Sequence, residues 1–139
     1  MSLELREVPD LPDPNIRPPS VAQSGDPFAA LRICHLFARL PRGVPVRIRD
    51  VVDRLNVDYL DWSFSRSVVI ASAVQLQSNW VADFRTSTGF ELADGERGEE
   101  LVIEDSPRAG PWLVRQVERL AAECRDQLAS FARAEGDLA

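Results

Sequence analysis

One histidine, two cysteines and a short run of carboxylates are the residues of this chain whose types could do chemistry. Their spacing argues against it. His35 follows Cys34 directly in a predicted helix, and consecutive helix positions point about 100° apart, so the two do not face each other as a thiol–imidazole pair. Cys34 and Cys124 fall in the first and last predicted helices, with no metal-ligand or redox spacing between them. On apolar helix faces each acts as a small hydrophobe. Asp94-Gly-Glu-Arg-Gly-Glu-Glu100 carries carboxylates but lacks the alternating ligand positions and placed glycine of a calcium loop. No glycine-rich phosphate loop is present. General acid–base or nucleophilic work needs a histidine, paired carboxylates or an activated thiol in a cleft, so the expected reading is a non-enzyme, with no metal and no cofactor.

The charged residues suggest binding instead. All sixteen basic residues are arginine, and the formal net charge is −6, a balance that opposes simple phosphate binding. The distribution is uneven. Residues 26 to 49 carry Arg32, Arg39, Arg42, Arg47 and Arg49 against Asp26 alone, whereas residues 91 to 105 carry seven acids against Arg97. One basic side and one acidic side are expected.

The elements that must position these groups are legible from periodicity and punctuation. Residues 1–25 hold five of the ten prolines and read as an extended arm without helix or central strand. Such an arm is either a loose terminus or lies on a partner subunit through Leu3, Leu5 and Val8. Asp26-Pro27 supplies an N-cap and a first-turn proline for a core helix with Phe28, Leu31, Ile33, Leu36, Phe37 and Leu40 at helical spacing, ended by Pro41-Arg-Gly43. After extended Val44-Pro-Val46, a short helix from about Ile48 to Leu55 buries Ile48, Val51, Val52 and Leu55. Asn56-Val57-Asp58 turns the chain, and Asp58 or Asp61 caps a third helix over about Tyr59 to Ser78.

That third helix is apolar on two sides: Leu60, Phe64, Val68 and Ala71 form one arc, and Trp62, Val69, Ala73 and Leu76 another. Between them lies a polar arc of Ser63, Arg66 and Gln77, with Ile70 in its midst. Trp80 to Thr86 alternates as a strand, Ser87-Thr88-Gly89 turns, and Phe90-Glu-Leu92 returns, which makes a small wing. Glu99 to Asp105 reads as a short helix in preference to a third strand, and Ser106 to Gly110 as a linker. From Pro111 a long helix repeats Leu113, Val117, Leu120, Cys124, Leu128 and Phe131 at three- and four-residue steps, with Arg115/Glu118 and Arg119/Glu123 as flanking pairs. The stripe has the form of a coiled-coil seam, whose use is dimerisation unless the helix folds back on its own domain.

Over residues 26–105 this layout resembles the winged helix-turn-helix superfamily, in particular the MarR-like and PadR-like bacterial regulators. The resemblance is carried by the helix, the short strand, the Arg49-to-Leu55 helix, the turn, the Leu76-Gln-Ser-Asn-Trp-Val81 entry and Phe90-Glu-Leu-Ala-Asp-Gly-Glu-Arg-Gly98. It implies a mostly α fold with a small β-wing: a winged helix-turn-helix domain behind the 1–25 arm, followed at 106–139 by a linker and a dimerisation helix. It further implies a transcriptional regulator that binds double-stranded DNA as a homodimer, with one helix in the major groove and the wing beside the backbone. Carried onto this chain, the groove face is Ser63, Arg66, Ser67 and Gln77, the wing supplies Arg85, Thr86, Ser87 and Thr88, and Arg47 and Arg49 hold phosphate. The dimer seam is Leu113, Val117, Leu120, Cys124, Leu128 and Phe131, and a cleft at Trp112, Leu128 and Phe131 could hold an apolar effector.

Asp58 and Asp61, at the start of the presumed recognition helix, and Asp83 on the wing run against phosphate binding. The same scaffold therefore also reads as a protein-interaction module without DNA binding. In that case Trp62, Trp80 and Trp112 are either interface anchors or, as the commoner fate of aromatics at helical spacing, core. No apolar run has the length to cross a bilayer, and Met1 to Val8 lacks the regions of a signal peptide, so no membrane partner and a cytoplasmic location are expected.

Overall fold

Asp26 and Pro27 start α1 (Pro27–Arg39) as predicted: the Asp26 carboxylate accepts from Phe28 N at 3.0 Å, with the proline at the first helical position. The computed structural model describes residues 3–11, 21–95 and 98–138, and the side chains of Phe131 and residues 134–138 are outside that set. All of α1 except Ala30 and Arg39 is buried. A helix apolar on every side must be wrapped by other elements, and α1 is packed by α2 (Ile48–Asp58), α3 (Arg66–Phe84) and α4 (Ala109–Leu138). Arg42 closes its C-terminal end by donating to Ala38 O at 2.9 Å and Leu40 O at 2.7 Å. A guanidinium there satisfies orphan carbonyls and meets the negative end of the helix dipole.

Among the described residues the chain is mixed α/β, with four helices and one three-stranded antiparallel sheet. The strands β1 (Val46–Arg47), β2 (Phe90–Gly95) and β3 (Gly98–Ile103) lie in the order β1-β3-β2. Phe90 opposes Ile103, and Val46 and Leu92 flank Leu101 from either side. Period-two alternation puts this apolar set on the face toward the helices, and Phe90, Leu101, Ile103 and Val46 are buried. This corrects the expected wing. Trp80 to Phe84 is the last turn of α3, the hairpin is β2–β3, and Glu99 onward is strand and not helix. The Trp80-to-Phe84 alternation misleads because the same residues form an i,i+4 aromatic pair with ring centroids 4.4 Å apart, which a helix satisfies by docking both rings near Trp112. Arg108 covers this cluster from outside, 4.5 Å over Phe84 and 5.1 Å over Trp80, while its Nε donates to Glu104 at 2.6 Å.

The third helix also begins later than predicted, at Arg66 with Ser65 as N-cap, its Oγ accepting from Val68 N at 3.3 Å. Asp58 instead ends α2 and pairs with Arg54 at 3.0 Å and Arg39 at 3.8 Å. Residues 59–65 are held out of helix by tertiary contacts. Trp62 stacks on Phe64 at 5.8 Å and lies over the buried Arg32 at 4.6 Å, and Leu60 is fully turned to solvent. Asn56 completes the clamp, donating Nδ2 to Phe64 O at 3.0 Å while its Oδ1 accepts from Phe64 N at 2.9 Å. Asn56→Ala removes both bonds and leaves the part-buried N–H and C=O of Phe64 without those partners. It is expected to cost about 1–3 kcal/mol, read as a lower urea midpoint with unchanged slope; no shift in midpoint would show the clamp to be redundant.

The arm folds back on its own chain. Arg6 N donates to Arg39 O at 2.6 Å, His35 Nε2 donates to Pro9 O at 2.9 Å, and Leu3, Leu5, Val8 and Leu11 pack against the core. Residues 12–20, with Pro12, Pro14, Pro18 and Pro19, lie outside the described residues. Trp62, Trp80 and Trp112 are all core, 7%, 0% and 1% exposed. No helix among the described residues is long and apolar enough to cross a membrane.

Candidate interaction surface

From Ser67 to Ala82 the chain carries no charged residue, although 27% of it is charged overall. All of this stretch lies in α3. Its inner side, with Val68, Val69, Ala73, Leu76 and Trp80, is buried. Its outer side presents Ser67, Ala71, Val74, Ser78 and Val81, at steps of four, three, four and three residues, all exposed. Val74 and Val81 are 48% and 41% exposed. A solvated helix face is ordinarily charged or polar, so an outward stripe of alanine, serine and valine has the chemistry of a packing surface.

The residues expected to touch DNA fall into two groups at opposite ends of this helix. Arg66 pairs with Glu99 of β3 through Nε at 2.9 Å and through its second nitrogen, so its charge is already neutralised. Ser67 Oγ is 3.1 Å from Ser65 Oγ. Arg49 is exposed and shares a cleft of about 270 Å³ with Asp53, Arg66 and Glu99. Arg47 pairs with Asp50 at 3.5 Å. Ser63 lies before α3 and accepts from Ala22 N at 2.9 Å through its backbone carbonyl. Gln77 donates to Phe90 O at 3.3 Å and ties α3 to β2. Arg85, Thr86 and Thr88 follow the far end of α3, a helix of 19 residues and hence about 28 Å long. There Arg85 is the left-handed C-cap at φ 60°, Thr86 Oγ1 accepts from Thr88 N at 3.1 Å, and Thr88 O accepts from Trp80 Nε1 at 3.0 Å. Arg49, Arg66 and Ser67 are thus brought together, and Arg85, Thr86 and Thr88 are separated from them.

The expected basic side is largely neutralised within the molecule. Arg32 is buried, Arg39 and Arg47 are paired, and Arg42 caps α1. The hairpin beside α3 carries Glu91, Asp94, Glu99 and Glu100 on its described residues; Arg97 lies outside them.

The expected dimer seam is engaged in the chain's own core. Leu113, Val117 and Cys124 are buried against α1, Leu120 and Leu128 pack partly against it, and the Phe131 side chain lies outside the described residues. The burial of Trp112 likewise leaves no open cleft at that ring for an effector. Neither Arg115 and Glu118 nor Arg119 and Glu123 are among the ion pairs of the described residues. Burial pushes the Cys34 thiol up to about 12 and the Cys124 thiol up to about 11. With so little thiolate at neutral pH, both cysteines are expected to resist iodoacetamide in the native chain and to react in denaturant. Rapid native labelling, read by intact mass, would contradict that packing.

Sequence reasoning missed Ala71, Val74, Ser78 and Val81 as a surface because it sought cations on this helix. The signal that could have found them is the absence of charge from 67 to 82. No protein-family model matches the chain, and no curated protein or solved structure matches it significantly. The fold and surface define a mixed α/β chain of four helices and a small antiparallel sheet among the described residues, with an uncharged helix turned outward.

Proposed function

We propose that this chain is a protein-interaction module on a winged-helix scaffold, and that the outward face of α3 pairs antiparallel with the α3 of a second copy. The order helix, short strand, helix, helix and hairpin supports the scaffold reading. The observation that carries the function is the uncharged stripe centred on Val74, with Ala71 and Ser78 next to it and Ser67 and Val81 at its ends. A two-fold interface uses the same patch on both copies. A stripe with Val74 midway between its ends, seven residues from Ser67 and seven from Val81, and with small residues that let helices approach to about 8–10 Å, can meet its own copy in that symmetry.

Duplex DNA is the less fitting partner. Phosphate binding needs free cations that release counterions, whereas Arg66 is paired with Glu99 and the adjoining hairpin is acidic.

Sedimentation velocity over a concentration series tests the proposal. The wild type should form a dimer, and Val74→Glu should sediment as a monomer that keeps the wild-type far-ultraviolet circular dichroism, because it places two carboxylates at the centre of the interface while disturbing no buried group; its melting temperature should fall only by the stabilisation that dimerisation gave. Random duplex DNA in a salt series should not bind. A wild type that stays monomeric, a Val74→Glu chain that remains dimeric, or salt-dependent duplex binding weakened by Arg66→Ala would overturn it.

A further inference from the structure

A second site adjoins the outward stripe of α3, with Ala71 belonging to both. A cavity of about 450 Å³ opens between α1, α3 and α4, within the range that holds small ligands. Its apolar side is formed by Cys34, Ala30, Leu76 and Leu120. Its polar side is a directed network. Arg119 donates to Gln116 Oε1 at 2.6 Å, Asn79 Nδ2 to the same oxygen at 3.4 Å, and Gln75 Nε2 to Asn79 Oδ1 at 3.2 Å. A guanidinium only donates, so Arg119 sets the Gln116 carboxamide with its oxygen inward to the network. That leaves Gln116 Nε2 with no acceptor among the described residues, in a cavity-lining side chain only 4% exposed.

Glu123 stands one turn beyond Arg119 on α4, about 6 Å along the axis, and also lines the cavity. The two are spaced to pair along the helix. Yet Arg119 turns to Gln116, and neither charge is in an ion pair among the described residues. The wall thus offers a cation with adjacent amide donors, then an anion, over an apolar floor. We infer that the cavity binds a zwitterion with an apolar body, an α-amino acid of the aromatic class. Its carboxylate is received by Arg119 and Gln116, its ammonium by Glu123, and its side chain rests on Leu76, Leu120 and Cys34. An anion alone would face Glu123 unpaired, and a cation alone would face Arg119; the zwitterion answers both.

Isothermal titration with three probes of one size tests this: L-phenylalanine, 3-phenylpropanoate, which lacks the ammonium, and 2-phenylethylamine, which lacks the carboxylate. L-Phenylalanine should bind saturably, with each single-charge probe weaker by about tenfold or more. In Arg119→Gln, L-phenylalanine should fall to the affinity of 2-phenylethylamine, and in Glu123→Gln to that of 3-phenylpropanoate. Both side chains are exposed, so both variants should keep the wild-type melting temperature. The inference is overturned if L-phenylalanine shows no saturable binding up to about 10 mM, if a single-charge probe binds as well as it does, or if folded Arg119→Gln and Glu123→Gln bind it like the wild type.

Discussion

Trp112→Ala lowers the stability of the folded chain by about 3–5 kcal/mol, a large part of the roughly 5–15 kcal/mol that a domain of this size possesses. The indole is 1% exposed and lies where α3, α4 and the sheet meet: its ring is 5.0 Å from Trp80 at 79°, and 6.1 Å from Phe90. Its Nε1 also donates to Asp83 Oδ2 at 2.8 Å, fixing the end of α3 to α4. Alanine removes the edge-to-face contacts, opens a void the size of an indole and leaves Asp83 without that donor. Urea denaturation followed by far-ultraviolet circular dichroism checks it, with a much lower midpoint or an unfolded chain as the expected result. A loss under about 1 kcal/mol would mean that α4 is not integral to this core. Trp112→Phe should retain part of the loss, since it keeps ring packing and removes only the indole's extra volume and its hydrogen bond.

Gly89→Ala is expected to cost about 2–5 kcal/mol, from a positive φ and overpacking together. Gly89 has φ +118°, a region that side chains rarely enter, and a Cβ there would stand 2.8 Å from Trp80 Cε2 and 2.6 Å from Glu104 Oε1. Trp80 cannot move aside: it is fully buried, and its Nε1 is bound to Thr88 O one residue earlier. Gly89 O also accepts from Glu104 N at 2.7 Å, so a shifted backbone would loosen the entry to the hairpin. Gly25→Ala is the internal control. Its φ is +82° but a Cβ would meet nothing within 4 Å, so only the left-handed strain of about 1–2 kcal/mol applies. Thermal denaturation of the two variants side by side separates the effects; equal shifts would show that the contact with Trp80 contributes nothing.

The cost of Gly89→Ala comes from a contact made across the fold, and the same holds for most of what the sequence misplaced. Local signals carried α1, where the Asp26-Pro27 start and the apolar periodicity of Phe28 to Leu40 need no partner to be read, and they carried α2 and the onset of α4 nearly as well. They failed between Tyr59 and Ser65. That stretch is helical by pattern, and the Trp62 stack over Arg32, the Asn56 clamp and the Ala22 N–Ser63 O bond engage it outside helix. They failed again at Trp80 to Phe84, where alternation and i,i+4 pairing describe the same residues and the Trp112 ring decides between them.

The candidate surface divides in the same way. Its lack of charge is written in residues 67 to 82 and could be read without a structure. That Val74 and Val81 face outward while Val69 and Ala73 face inward could not, because apolar residues fall on more than one side of α3 and no charged face from 67 to 82 orients it. Nor could the neutralisation of Arg66 by Glu99, thirty-three residues away, or the use of Leu113, Val117 and Cys124 on α1 and not on a second chain. By itself the sequence determined where α1 and α2 begin, which residues are apolar, and where charge is missing, since these are properties of composition and local spacing. Which apolar face is covered, and which cation is left free, was decided only by the tertiary structure, because burial and ion pairing are set by groups brought together from distant parts of the chain.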